Sequence, residues 1–339
     1  MGEDMSLQFR RVGILSLVAL AAASAGCTTA VSPVSPDSAN ADGSQQGSSD
    51  AAASDAGAFD AASDAGSSED AGASDADAPA TVEVCDGVDN DGNGIIDDVD
   101  LTGDGICDCL NIATLGYEGQ WGQGDIFKNW LAGRTSNGGA VSLGSKTLTA
   151  ETLAPFQVLV VQDVRPGTPG TEGKGQGIGR VYSDAEVEAL ESWVSQGGGV
   201  MTLLGYSDAS EVENVNKLLA PFGLSYGSNS VLGVGDGTSK AITHWATHPI
   251  AEGVQKVGSD WGYPVSGGTL IAWEPVEGEW DIGRVVEHGS GHVFAWGDEW
   301  ITYNTEWQDR PDYQVERFWI NSIKWLTVAG NCQVPTGPN

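Results

Sequence analysis

The sequence predicts a layered α/β domain, a mostly parallel sheet flanked by helices, over residues 110–332. Three observations predict it. Apolar runs of strand length alternate with amphipathic stretches at helical spacing from Asn111 onward. One run, VLVV within residues 156–163, is apolar at every position, as suits a strand covered on both faces. All 12 tryptophans lie in this stretch, so it alone has the material for a sizeable core.

Taken in order, NIATLGY (111–117) reads as the first strand, followed by a Gly-rich turn and a helix over about 125–133. AVSLGS and FQVLVVQD (156–163) read as further strands. Ser183 with Glu186 forms a capping box that opens a helix through AEVEALESWVSQG, ending at Gly197. GGVMTLLG is another buried strand, and residues 212–222, VENVNKLLAPF, form a helix. Strands follow near 269–273, 282–287 and 292–296, the last two joined by a hairpin turn in EHGSGH. An amphipathic helix over about 313–329 closes the domain ahead of a 333–339 tail. The Gly-rich stretch 170–179, GTEGKGQGIG, is a mobile loop and not a phosphate loop, since no Ser or Thr follows its Lys174.

Charge is distributed unevenly. The chain carries 47 acidic and 15 basic residues, a net charge of -32. Thr28 to Val84 holds 11 acidic residues and Cys85 to Cys109 another 8, neither with a single Lys or Arg. A field of that sign repels phosphate backbones, so nucleic acid is excluded as a partner.

Residues 12–26, VGILSLVALAAASAG, follow Arg10 and Arg11 and end at Cys27. A basic flank, a short apolar core and small residues describe a signal peptide over 1–26, too short to span a membrane comfortably. Met5 is an alternative start. The stretch Ser24-Ala25-Gly26-Cys27 resembles the bacterial lipobox, although Leu is common where Ser24 stands. The resemblance implies lipidation of Cys27, with a lipid membrane as partner. Thr28 is not the aspartate that retains enteric lipoproteins in the inner membrane, which implies an outer-membrane or cell-surface location. Residues 27–80, mostly Ala, Ser, Asp and Gly, have too few large apolar side chains to order and are expected to form an extended tether.

The sharpest chemical signal is CDGVDNDGNGIIDDVDLTGDGICDC, residues 85–109, within an acidic segment spanning 81–109. Counting from Asp89, oxygen-bearing side chains fall at positions 1, 3, 5, 9 and 12: Asp89, Asp91, Asn93, Asp97 and Asp100. Gly94 stands at position 6, and Ile95 at position 7 offers its carbonyl. This spacing wraps oxygen ligands around a calcium ion, except that the usual position-12 Glu is replaced by Asp100. Asp100 also opens a second, shorter cluster with Thr102, Asp104, the Ile106 carbonyl and Asp108, leaving open whether one ion or two are held. The segment resembles the calcium-binding repeats of thrombospondin type 3 and dockerin modules, and the CDGxDND motif of myxobacterial surface proteins. The resemblance implies a structural Ca2+ that stiffens the joint between tether and domain. With Cys27 lipidated, Cys85, Cys107, Cys109 and Cys332 remain for pairing in an oxidising compartment. Three pairings exist. Cys85–Cys107 with Cys109–Cys332 is the expected one, and a four-thiolate zinc site is the alternative.

The order of strand, YSDAEVEALESWVSQGGGVMTLLGY, HPIAEGV and VVEHGSGHVFAWGDEW resembles the class I glutamine amidotransferase-like fold, in particular its ThuA-like branches. The resemblance implies the fold and not the chemistry. Catalytic members carry a cysteine at the sharp turn after the GGG-led strand, where this chain has Leu204-Gly205-Tyr206-Ser207, and no His-x-Glu pair follows the late strands. Cysteine nucleophile catalysis is thereby excluded.

Open α/β sheets bind ligands at the carboxyl ends of their parallel strands. That rule places a crevice among Gly116-Tyr117-Glu118, Asp163, Tyr206-Ser207-Asp208 and Gly297-Asp298-Glu299-Trp300. His244, His248, His288 and His292 read as structural or surface residues. Trp130, Trp193, Trp319 and Trp325 fall on helical faces as core, whereas Trp121, Trp261, Trp280, Trp300 and Trp307 sit in predicted turns beside glycines and acids. Aromatic platforms flanked by carboxylates suit stacking on sugars. The expectation is a lipid-anchored, non-catalytic binding protein for a glycan or an envelope protein. The alternatives are a hydrolase of saccharide or ester using Asp298, Glu299 or Ser207, and a structural envelope component.

Overall fold

The computed structural model describes residues 82–86, 88–119, 122–135, 140–234, 238–276 and 278–328. The signal and tether stretches, Cys27, Trp121, Cys332 and the 333–339 tail lie outside the described residues. Among the described residues no helix is long and apolar enough to cross a membrane.

Strand β1 (Ile112–Gly116) is followed by α1 (Asp125–Ala132), β2 (Val141–Gly144), α2 (Ala150–Leu153) and β3 (Val158–Gln162). Helix α3 (Asp184–Ser195) leads into β4 (Gly199–Leu203), and α4 (Ala209–Leu219) continues as a 3-10 turn over Ala220–Phe222. Short strands come next: β5 (Ser225–Tyr226), β6 (Lys240–Ile242), β7 (His244–Trp245), β8 (Val257–Ser259) and β9 (Val265–Ser266). Three longer ones follow, β10 (Thr269–Glu274), β11 (Trp280–His288) and β12 (Gly291–Trp296). Helices α5 (Asn304–Asp309) and α6 (Val315–Leu326) end the fold.

The main sheet has eight strands in the order β2-β1-β3-β4-β12-β11-β10-β7. From β2 to β12 neighbours run parallel, and from β12 to β7 they run antiparallel. The sheet is therefore mixed, a correction to the mostly parallel one expected. The cause is connection length. A parallel crossover needs about a dozen residues. Only Gly289 and Ser290 separate β11 from β12, with Gly289 at φ 62°, so this pair must turn back as a hairpin. Two small antiparallel pairs, β5–β9 and β6–β8, lie beside the main sheet.

Alternation within the strands divides the core into two layers. Val158, Val160, Met201, Leu203, Phe294 and Trp296 face α1 and α6, packing on Phe127, Leu131, Phe318, Trp319 and Ile323. Leu159, Val161, Val200, Val293 and Ala295 face the other way, onto Leu153 of α2, Leu190 and Val194 of α3, and Val212 and Val215 of α4. Buried aliphatic and aromatic side chains at about 25 cal/mol per Å2 make this burial the main source of stability. Helix α3 has the expected capping box. Ser183 Oγ accepts from the Glu186 N–H at 3.3 Å, and Glu186 Oε2 accepts from the Ser183 N–H at 2.9 Å.

The acidic segment joins the α1/α6 side of the domain through Ile106, Cys107, Cys109 and Leu110, all buried in that core layer. Cys85 pairs with Cys109, Cα atoms 5.4 Å apart, and Cys107 is disulfide-bonded as well. This corrects the expected Cys85–Cys107 and Cys109–Cys332 pairing. Cys107 is the one fully buried, which leaves Cys109 for the acidic loop.

Candidate functional site

Two groups of acidic side chains stand out, one in the segment 82–109 and one at the carboxyl ends of the parallel strands.

In the first, two loops repeat the same construction. Asp89 Oδ1 accepts from the N–H groups of Gly92 and Asn93, and its Oδ2 from Gly94. Asp100 does the same with Gly103, Asp104 and Gly105. The glycines at 92, 94, 103 and 105 all have positive φ, which turns successive N–H groups inward. Ile95 and Ile106 donate their N–H groups to Asn93 and Asp104 at equivalent places. Oxygens of Glu83, Asp89 and Asp91 all lie within 4.8 Å of one another, so this cluster can coordinate a metal ion. Glu83 was absent from the motif reading because it lies six residues ahead of Asp89. Its carboxylate folds back to accept from Asn90, Asp91 and Asp97. Asp100 heads the second loop, and Asp97 Oδ1 accepts from the Asp86 N–H. In the second loop Thr102 Oγ1 donates to Asp100, and Asp104 pairs with Arg134 at 2.5 Å. Asp108 is buried, and its carboxyl accepts from the Leu101 N–H while burial pushes its pKa up.

The second group lies at the ends of β3, β4 and β12. After β4 the chain turns sharply at Tyr206, φ 43°, before entering α4. A Cβ on Gly205 would stand 2.5 Å from Asp298 Oδ1, so only glycine allows this approach. Asp208 caps α4, accepting from the N–H groups of Ser210 and Glu211. The Ser207 hydroxyl donates to Glu211 Oε2, and Val164 N–H donates to Oε1 at 3.0 Å. Arg165 lies 2.6 Å from Asp163 Oδ1 and 3.4 Å from Glu211 Oε2. Asp298 accepts from Trp300 N–H at 2.8 Å and from Asp260 N–H. Glu299 accepts from the Tyr303 hydroxyl.

Asp163, Glu211, Asp298 and Glu299 are all buried, and among the described residues neither Asp298 nor Glu299 makes an ion pair with a base. Burial is the main cause raising the pKa of Asp298 to about 7. Burial and then the neighbouring Glu211 charge push Glu299 well above the usual carboxylate range. Burial and the Asp163 charge bring Glu211 to about 7. Burial and these neighbouring charges favour the protonated form of Glu299.

Glu299 and Asp298 lie on the floor of a pocket of about 740 Å3, with Asp260, Tyr206, Trp261, Trp300, Tyr303, Gln123 and Asn304 around it. Tyr206 and Trp261 meet edge to face at 6.2 Å, and Trp261, at φ 57°, is 38 % exposed. Positive φ at Tyr206 and Trp261 places backbone strain at two of the residues that line this pocket.

The structure thus brings together Tyr206, Asp298, Glu299 and Trp300 of the expected crevice. Glu118 stands in an adjoining pocket, paired with Lys128 and Lys174. Trp307 lies elsewhere: its indole N–H donates to the Ile301 carbonyl, and its ring packs against Phe127 and Trp130. Trp280 opens β11 and packs on the core. No histidine lines the pocket. His248 caps a 3-10 turn, His292 stacks on Trp325, His288 meets Phe222, and His244 lies beside Glu274. Glu211 and Tyr303 were missed because each sits well beyond a strand end, Glu211 in the first turn of α4 and Tyr303 just ahead of α5, where an acid reads as a cap and a tyrosine as core.

The fold defines an α/β domain with a mixed sheet covered by helices on both faces. No family model matches the sequence, and no characterised protein does. Among solved structures, the N-terminal domain of mmIFT52 is similar at 13% identity and a TM-score of 0.49, covering 64% of this chain and 97% of that one. Cytoplasmic protein STM1381 from Salmonella typhimurium LT2 shares 14% identity at a TM-score of 0.47, covering 64% and 100%. A ThuA-like protein from Bacteroides uniformis shares 12% at 0.37, covering 64% and 91%. These likenesses are too remote to bear on the chemistry of any residue.

Proposed function

We propose that the crevice binds a saccharide and hydrolyses it by general acid–base catalysis, with Glu299 as the acid. One observation carries this reading: a buried carboxyl, without a basic partner among the described residues and with its protonated form favoured by burial, lies in a pocket walled by Tyr206, Trp261 and Trp300. Aromatic walls stack on sugar faces, and a raised carboxyl donates a proton to the departing glycosidic oxygen. Asp260, which lines the same pocket and accepts from Val234 N–H at 2.6 Å, is assigned the removal of a proton from the attacking water. Water then adds across the cleaved C–O bond, and Tyr303 holds Glu299 in place. This was the alternative among the readings of the sequence, and the convergence of carboxyls on aromatic walls favours it over a purely binding role.

The test is turnover of a panel of aryl glycosides and oligosaccharides by the whole protein. Glu299→Gln should lower kcat by roughly a hundredfold or more while leaving binding in place. Unchanged turnover in that variant would exclude Glu299 as the acid. Saturable binding with no turnover by the parent chain would return the domain to a non-catalytic binding role.

The same reading includes a membrane tether through acylated Cys27, supported by the apolar run 12–26, and calcium as the ion for Glu83, Asp89 and Asp91, supported by their all-oxygen character. Palmitate incorporation lost in Cys27→Ala tests the tether.

A further inference from the structure

The sheet order β2-β1-β3-β4 reverses direction at β1 and β3, since β2 lies on one side of β1 and β3 on the other. Such a switch point opens a crevice at the strand ends. Here it is a pocket of about 540 Å3, lined by Thr114 and Gly116 of β1, Ser142 of β2, Gln162 of β3, and Lys128 and Lys174. A Cβ at Gly116 would stand 1.9 Å from the Gln162 carbonyl, so glycine keeps the two strand ends in close register.

Two features of this pocket point to a ligand. Gln162 is 7 % exposed, and among the described residues its side-chain Oε1 has no hydrogen-bond partner. A buried amide oxygen left unpaired costs about 1–3 kcal/mol, which a ligand's hydroxyl would recover. Lys128 and Lys174 converge on the single carboxylate of Glu118, with Lys174 also donating to the Gly122 carbonyl. These lining residues carry a net positive charge, in a chain of net charge -32. The neighbouring acid pocket is lined by Asp260, Asp298 and Glu299 and by no base. The pockets adjoin, since Gly122 and Gln123 line one, Gly124 the other, and Thr302 and Tyr303 stand one in each.

We propose that the switch-point pocket is an anion-recognising subsite, so that the saccharide taken by the crevice is an acidic one. Its negative group meets Lys128 and Lys174, and a hydroxyl of the same sugar unit donates to Gln162. This rests on the saccharide reading of the acid pocket and names its substrate class.

Calorimetric titration of the whole protein with trigalacturonate, a sulfated galactotriose and neutral galactotriose tests it. At least one anionic trimer should bind roughly tenfold more tightly than the neutral one, the effect of one or two charge-assisted contacts. Carboxylated against sulfated trimer tells which anion is taken. Lys128→Met with Lys174→Met should abolish the preference, Lys128→Arg with Lys174→Arg should keep it, and Gln162→Leu should weaken the anionic trimer by about tenfold. Equal affinity for all three trimers, or a preference that survives the double Met variant, would overturn the subsite. Anion-selective binding without hydrolysis would uphold it and sink the hydrolase reading. Hydrolysis of neutral and acidic trimers alike would do the reverse.

Discussion

The carboxylates of residues 82–109 and those of the crevice are the same chemical groups put to opposite use. In the acidic segment Asp89 and Asp100 are each ringed by three backbone N–H groups and sit at or near the surface. Such near-surface carboxylate oxygens are the ligand type a hard cation takes. In the crevice, Glu211, Asp298 and Glu299 are buried close to one another, with Arg165 reaching only Glu211 of these three. There the loss of water, and after it the field of neighbouring acids, favours the protonated form. Burial and donor supply, not residue type, separate a metal ligand from a proton donor.

The contrast breaks first at Asp104, a residue of the acidic segment that is treated as a buried one. Its pair with Arg134 is almost wholly enclosed, with side chains 11% and 10% exposed, and the guanidinium stacks 4.0 Å from the Trp130 ring centre. Arg134→Met leaves Asp104 without its partner and should cost about 4 kcal/mol in chemical denaturation. Adding Asp104→Asn should recover most of that loss. A double variant as unstable as the single one would show that packing on Trp130, not charge, joins the segment to the domain.

The next largest effect tests the buried acids through pH. Glu306 of α5 accepts from Gly258 N–H and the Ser239 hydroxyl, and burial raises its pKa from 4.5 to about 7. Between those values the folded chain holds a proton that the unfolded chain has released. Its contribution is therefore complete below 4.5 and fades as pH climbs through 7. Glu306→Gln can still accept from Gly258 N–H through its one oxygen, can donate its amide N–H to the Ser239 hydroxyl, and removes the titration. Its stability relative to the parent should improve by on the order of 3 kcal/mol from about pH 4.5 to pH 8. Parallel profiles for variant and parent would mean that Glu306 is ionised in its buried site.

The exposed side of the comparison is read with calcium. At a hundredfold excess over its dissociation constant, the ion should stabilise the segment by about 2.7 kcal/mol, seen as protection from limited proteolysis and lost with chelator. Glu83→Gln and Asp89→Asn should each weaken binding in calorimetry. A segment equally resistant with calcium and with chelator would leave the Glu83, Asp89 and Asp91 cluster without its assigned ion.

How far the sequence announced this depended on length scale. The runs that became β1, β3 and β4, and the Ser183–Glu186 cap of α3, are patterns several residues long and appear where expected. Strands β5 to β9 have only two or three residues each, too few for a period of two to show. The antiparallel half of the sheet was implicit in EHGSGH, whose two-residue turn leaves no room for a crossover. Asp298, Glu299 and Trp300 came within reach through the strand-end rule. Glu211, Tyr303 and Gln162 did not, because their burial arises from elements far apart in the chain. Trp307 misled for the same reason: α5 turns its ring inward to Phe127.

Asp208 supplies the smallest and sharpest test: the crevice expected from the sequence included it, but it is not among the lining residues of the pocket and is built like one of the acidic loops. Its Oδ1 accepts from the N–H groups of Ser210 and Glu211 at 2.9 and 3.0 Å, much as Asp89 Oδ1 does with Gly92 and Asn93. Partial burial pushes its pKa up, but these donors and the Ser210 hydroxyl outweigh that and hold it below 3.8. The stabilisation is present above 3.8 and is lost as pH falls through the lower folded value. Asp208→Ala should cost about 1 kcal/mol at neutral pH, the usual worth of a helix N-cap, and Asp208→Ser should restore most of it. If the loss in Asp208→Ala persists undiminished well below the unfolded value, then neutral hydrogen bonding, and not the ionised carboxylate, caps α4. Donor supply would then not be what lowers the pKa of this acid at the start of α4.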